Sequence, residues 1–130
     1  MFYSKKLKKF NNIKHCFFSR KGGFSNDIYK SLNCGRGSKD RKKNILKNLK
    51  YVANKFNVKN NKLLLMHQTH GNKVIEITKH NYRRKIKSDA IVTKMKGFAL
   101  GVVTADCVPV IIYDKKNNII ACVHAGWRGA

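Results

Sequence analysis

Acidic residues are scarce in this 130-residue chain: only six stand against 29 lysines and arginines, and Glu76 is the one glutamate. Proline and tryptophan occur once each, as Pro109 and Trp127. No stretch approaches the roughly 20 apolar residues that a membrane span requires, so a membrane partner is not expected. The opening, MFYSKKLKKF, carries basic residues with no apolar run behind them, which argues against export and makes the cytoplasm the expected location. Four cysteines, Cys16, Cys34, Cys107 and Cys122, lie far apart with no Cys-x-x-Cys pair. Their low density and the lack of an export signal argue against a small disulfide scaffold and for free thiols.

What is abundant is positive charge, formally +23. Such a balance raises a basic nucleic-acid-binding module as one hypothesis. Yet arginine, which matches phosphate and base edges best, supplies only 6 of the 29 cationic residues, and the lysines are scattered from Lys5 to Lys116. With the many asparagines and isoleucines, this reads as a compositional bias toward a soluble basic surface, and nucleic acid is not the expected partner. Apolar residues make up 42% of the chain, enough for a packed core. The length suits one domain spanning 1–130.

Ile45, Leu46, Leu49, Val52, Ala53 and Phe56 recur at helical spacing and predict a helix over 41–56, with Asp40 as its N-cap. Short strands are expected at 15–19, 63–66, 73–78, 90–93, 98–104, 110–113 and 119–124, with a basic loop over 79–87. Proline is poorly tolerated in a central strand, so Pro109 should separate the strands on either side of it. The last strand runs into Gly126-Trp127-Arg128-Gly129, a turn after which a covering helix would normally follow. The chain therefore reads as the N-terminal part of a domain whose C-terminal part is missing. Such a chain is expected to be weakly active or inactive and to associate through its uncovered face.

Three polar residues stand at strand ends or breaks beside small residues: His70 before Gly71, Cys107 in the interrupted apolar run, and His124 before Ala125-Gly126. Residues so placed can converge on one pocket. Two imidazoles and a thiolate are borderline-soft ligands suited to zinc and able to hold copper. Three protein ligands leave a coordination position open, as catalytic zinc does, and such a site activates water toward an electrophilic carbon. The spacing matches no compact finger motif, and a lone histidine is more often a surface or hydrogen-bonded residue.

His67-Gln68-Thr69-His70-Gly71, Ser88-Asp89-Ala90-Ile91-Val92-Thr93, Thr104-Ala105-Asp106-Cys107-Val108-Pro109-Val110 and Val123-His124-Ala125-Gly126-Trp127-Arg128-Gly129 together resemble the YfiH/LACC1 family. These are the laccase-domain proteins once called multicopper polyphenol oxidases. Phe18-Ser19-Arg20-Lys21-Gly22-Gly23-Phe24-Ser25 and Ser31-Leu32-Asn33 also match family segments, in the same order. The resemblance implies an α/β fold, a mixed β-sheet flanked by helices in a layered YfiH-like sandwich. It implies a zinc-dependent purine nucleoside enzyme, with phosphorolysis of adenosine, inosine and methylthioadenosine and deamination of adenosine. Purine nucleoside and phosphate would be its partners, and His70, Cys107 and His124 its metal ligands. Copper and polyphenol oxidation form the weaker reading, because the chain has only five histidines and one such site.

Arg20 and Arg128 are the candidates for holding phosphate, since guanidinium matches its geometry; either could equally be a surface arginine. Asp106 can orient a histidine, transfer a proton or simply cap a turn. Cys122 shares a strand face with His124 but reads better as a buried thiol. Trp127 suits purine stacking or core packing. A cysteine hydrolase, with Cys107 as nucleophile and His124 as base, is the alternative enzyme. Oligomeric state is not legible.

Overall fold

A computed structural model of the chain describes residues 1–128; Gly129 and Ala130, the end of the predicted final turn, lie outside the described residues. The chain divides into two compact units, one of Met1–Asn60 and one beginning at Asn61. Among the described residues no helix is long and apolar enough to cross a membrane.

The first unit is built on helix α1, Lys42–Lys55. Ile45, Leu49 and Ala53 are buried on its inner face, while Leu46, assigned to the same face by periodicity, is 56% exposed. The helix ends in a Schellman arrangement. Asn57 takes φ 54°, the Val58 N–H donates to the Ala53 carbonyl and the Asn57 N–H to that of Asn54; asparagine tolerates the left-handed position. Asp40 is not the N-cap. That position is held by Arg41, which makes no side-chain cap, and Asp40 instead braces the preceding loop. It accepts bonds from the Arg41 N–H at 2.6 Å, the Ser25 hydroxyl at 2.6 Å and the Asn33 amide at 3.1 Å. The Ser25 bond, reinforced by those from Asn33 and Arg41, holds its carboxyl below the usual range despite some burial.

Asn48, fully buried on α1, ties the same loop down. Its Oδ1 accepts the Phe24 N–H at 2.7 Å. Its Nδ2 reaches Ser25 Oγ at 2.9 Å and the carbonyls of Ser31 and Asn33 at 3.2 and 2.7 Å. At Gly23 a Cβ would fall 2.2 Å from the Ser31 carbonyl oxygen, so only glycine fits where the two loop strands meet. The strand expected at 15–19 is reduced to a single antiparallel bridge between Phe17 and Phe2.

The second unit holds two sheets. Strand β1, Leu63–Leu65, pairs in parallel with β4, Ala99–Gly101. Strands β2, Val74–Glu76, β3, Ala90–Thr93, β5, Val108–Asp114, and β6, Ile119–Ala125, form a four-stranded sheet in the order β2-β3-β6-β5. It is mixed: β2 and β3 run parallel, whereas β6 is antiparallel to both β3 and β5. The run is divided into two strands through the segment that holds Asp106 and Cys107, but Pro109 is not part of the break. It lies within β5, and β5 is an edge strand, where a missing N–H costs no ladder bond. Leu64, Met66, Ile77, Ile86 and Ile91 form the core, with Ile75, Tyr82, Met95, Phe98, Leu100 and Val102 packed against it. Strand alternation turns Ile91, Cys122 and His124 to one face of the sheet. On the opposite face Val74, Val108, Val110 and Ile112 are exposed.

Candidate metal centre

The antiparallel pairing of β5 and β6 sets Val108 opposite Ala125 and Pro109 opposite His124. Cys107, one residue ahead of β5, is thereby carried to the end of β6 where His124 stands. The loop after β1 supplies His70. It is anchored by a parallel bridge between His67 and Lys87, with the His67 N–H donating to the Ile86 carbonyl at 2.7 Å.

Gln68 clamps this loop to the segment leading into Cys107. Its amide nitrogen donates to the Val103 carbonyl at 2.9 Å, and its carbonyl accepts the Val103 N–H at 3.0 Å. The paired bonds imitate one rung of a β-ladder and fix the two ligand loops side by side.

The result is that one ligand atom each from His70, Cys107 and His124 lies within 4.8 Å of the other two. The imidazoles of His70 and His124 meet edge to face with centroids 4.8 Å apart. His124 is 3% exposed, Cys107 half-buried and His70 exposed, so the group opens to solvent on one side. Gly126 backs it. A Cβ there would lie 3.2 Å from His70 Cδ2, 3.3 Å from His124 Cε1 and 3.7 Å from Cys107 Sγ. Gly126→Ala is therefore expected to push the rings apart and weaken any metal binding at this group roughly 10-fold, as disturbance of ligand orientation does; competition against a chromophoric chelator measures it.

Asp89 is the residue that sequence reasoning passed over. It is 2% exposed and lies just ahead of β3. His124 Nδ1 donates to it at 2.8 Å, and it also accepts the N–H groups of Thr69, His70 and Gly71 and the Thr69 hydroxyl. Burial alone would raise its pKa, but the bonds from Thr69, His124, Gly71 and His70 outweigh this and hold the carboxyl well below its ordinary range. An ionised carboxylate only accepts, so the proton of this bond is on His124 Nδ1, and Nε2 is the ring nitrogen the bond leaves available to an ion. This donor set fits a zinc-type ion: two imidazole nitrogens, one thiol sulfur, and a carboxylate orienting one ring from behind. The signal was in the sequence, where Asp89 is one of six acidic residues and directly precedes an apolar strand.

The other predicted site residues are less gathered. Asp106 is exposed beside Cys107; the carboxylate that touches a ligand histidine is Asp89. Arg128 lies over the ring of Trp127, 4.7 Å from its centroid. Trp127 itself is 78% exposed and so is no core residue here. Arg20 belongs to the first unit, where its Nε donates to the Lys30 carbonyl at 2.7 Å and a terminal nitrogen to that of Ile28 at 3.5 Å. Cys122 is buried, donates to the Leu100 carbonyl at 3.4 Å, and burial pushes its pKa up to about 11. It is a structural thiol.

A His₂Cys group drawn from the loop after β1 and from the adjoining ends of β5 and β6 defines a protein of one helix and two small sheets with a candidate three-ligand metal centre. The chain belongs to the YfiH/LACC1 family: residues 14–130 match the family model described as multi-copper polyphenol oxidoreductase laccase. It is 34% identical over 131 residues to a purine nucleoside phosphorylase of Bacteroides thetaiotaomicron, covering 95% of this chain and 48% of that protein. It is 33% identical to the purine nucleoside phosphorylase YlmD of Bacillus subtilis, covering 87% of this chain and 44% of that protein. The crystal structure of YfiH from Bacillus licheniformis superposes with a TM-score of 0.79 at 29% identity, over 85% of this chain and 44% of that one. The chain thus spans about half the length of the relatives it matches.

Proposed function

We propose that this chain carries the zinc centre of a purine nucleoside enzyme that phosphorolyses adenosine, inosine and methylthioadenosine and deaminates adenosine. The observation that carries the reading is the convergence of His70, Cys107 and His124 within 4.8 Å. The naming of relatives over 30% identical as purine nucleoside phosphorylases supports the substrate class. Residues 1–130 are read as one YfiH-like domain. In the layered sandwich we propose, further structure would cover the sheet face bearing Val74, Val108, Val110 and Ile112.

Zinc held by these three residues would supply Lewis-acid activation of water for attack at C6 of the base. His70, Cys107 and His124 would hold the ion, and Asp106, exposed beside the thiol, is assigned the proton given to departing ammonia. For phosphorolysis an anion must be bound beside C1′ of the ribose. Arg128, in the same unit as the three ligands, is assigned to it. Trp127 offers an exposed aromatic face for a purine.

A second reading has one observation in its favour. Cys107, His124 and Asp89 supply a thiol, an imidazole and an orienting carboxylate, the makings of a cysteine hydrolase. It leaves His70 without a role. Copper and polyphenol oxidation remain the alternative for the same ligands, and the one three-residue group among the described residues does not by itself make a multi-ion electron path.

Purified protein offered adenosine and phosphate separates the readings. Turnover is expected to be weak, to vanish on chelation and to return with added zinc. Turnover that survives chelation but is lost to a thiol alkylator would instead establish the hydrolase.

A further inference from the structure

We infer that Asp89 is the positioning residue of the metal centre, setting the ring of His124 and the backbone of His70 through one carboxylate before any ion arrives. The inference rests on the zinc reading of the site and adds to it a residue outside the ligand set.

Both histidines are reached, each by a different route. On the His124 side, the Asp89 carbonyl accepts the His124 N–H at 2.7 Å while its Oδ1 takes Nδ1–H at 2.8 Å. The strand and the ring are thus pinned to the same residue. On the other side the carboxylate receives three successive N–H groups: Thr69 at 3.1 Å, His70 at 2.9 Å and Gly71 at 2.9 Å. The Thr69 hydroxyl adds a fourth bond at 2.7 Å. Such a concave run of N–H groups closes around an anion. It also accounts for the backbone of His70, whose φ is 59°. A non-glycine residue in that region is uncommon and costs energy, and it persists only where its surroundings over-determine it. Here the carboxylate does so, and the strained turn presents the imidazole toward Cys107 and His124.

All five donors face a group that can only accept. Asparagine has the same size and shape but must turn an NH₂ toward some of them. With Nδ2 toward Thr69 and Gly71, donors face donors and the turn at His70 loosens. With Nδ2 toward His124, the ring switches tautomer and the proton moves to the nitrogen that should hold the ion. Either orientation spoils one histidine. Asp89→Asn should therefore weaken zinc binding by roughly 10- to 100-fold, the range for residues that orient ligands, without altering any ligand.

The test compares the full chain with its Asp89→Asn variant. Histidine ring nitrogens are observed by ¹⁵N NMR in the metal-free proteins, and zinc affinity is measured by chelator competition. The expected result is His124 as the Nδ1–H tautomer in the parent chain. In the variant, mixed or reversed tautomers or a displaced His70 amide signal should accompany weaker binding. A parent chain with the proton on Nε2 overturns the inference, even if the variant does not fold. So does a folded variant with unchanged signals and unchanged affinity. A parent chain that takes up no zinc refutes the metal reading itself, and the tautomer measurement still reports on Asp89 independently.

Discussion

Cys107→Ala should lower zinc affinity on the order of 1,000-fold, equivalent to about 4 kcal/mol, and should abolish metal-dependent turnover. Cys107 Sγ is the one sulfur among the three converging ligand atoms, and removing a ligand should cost more than the 10- to 100-fold that disturbing its support does. The two imidazoles that remain cannot close a three-ligand site. Cys122 cannot take over, since it is buried with its hydrogen bond made to Leu100. Metal analysis of the two proteins side by side should give one zinc per parent chain and a substoichiometric amount in the variant. Equal zinc content in both would remove Cys107 from the ligand set. The fold should be little affected, because Cys107 is half-buried and lies outside the core of the second unit.

Asn48→Ala should have the largest effect on stability, a loss of about 2–4 kcal/mol. One side chain makes four hydrogen bonds, to Phe24, Ser25, Ser31 and Asn33. Deleting it strands the Phe24 N–H and the Asn33 carbonyl, while the Ser31 carbonyl keeps its bond from the Ser25 N–H; a buried group left unpaired costs about 1–3 kcal/mol. The figure is a large part of the whole stability of a small domain, about 5–15 kcal/mol. Urea unfolding should show the loss, whereas Asn54→Ala, an exposed change on the same helix, should stay within about 0.5 kcal/mol. Equal midpoints for the two variants would mean that the loop over 20–40 holds itself without the helix.

Local patterns made some elements legible. The apolar period of α1 comes from residues within one continuous segment, and its three buried aliphatics, Ile45, Leu49 and Ala53, are among those the spacing picks out. Strand β3 has the bounds 90–93 that its composition suggests. Failures occurred where a residue's meaning depended on a distant partner. Pro109 reads as a break by its own chemistry, but its place at a sheet edge is decided by which strands pair. Asp40 stands where an N-cap should, but its carboxylate bonds Ser25 and Asn33 in the preceding loop.

The candidate site divides the same way. The sequence by itself determined which residues have the chemistry of soft metal ligands, and the motifs around His70, Cys107 and His124 determined the family. Tertiary structure alone decided that these three meet, because the β5–β6 register and the Gln68 clamp bring together loops from three parts of the chain. It also decided which of two aspartates bonds a ligand histidine. Asp106 adjoins a ligand in sequence, yet Asp89 adjoins one in space. A hydrogen bond reaches about 3 Å whatever the separation along the chain, so a ligand's support is set by folding and not by neighbourhood in the sequence.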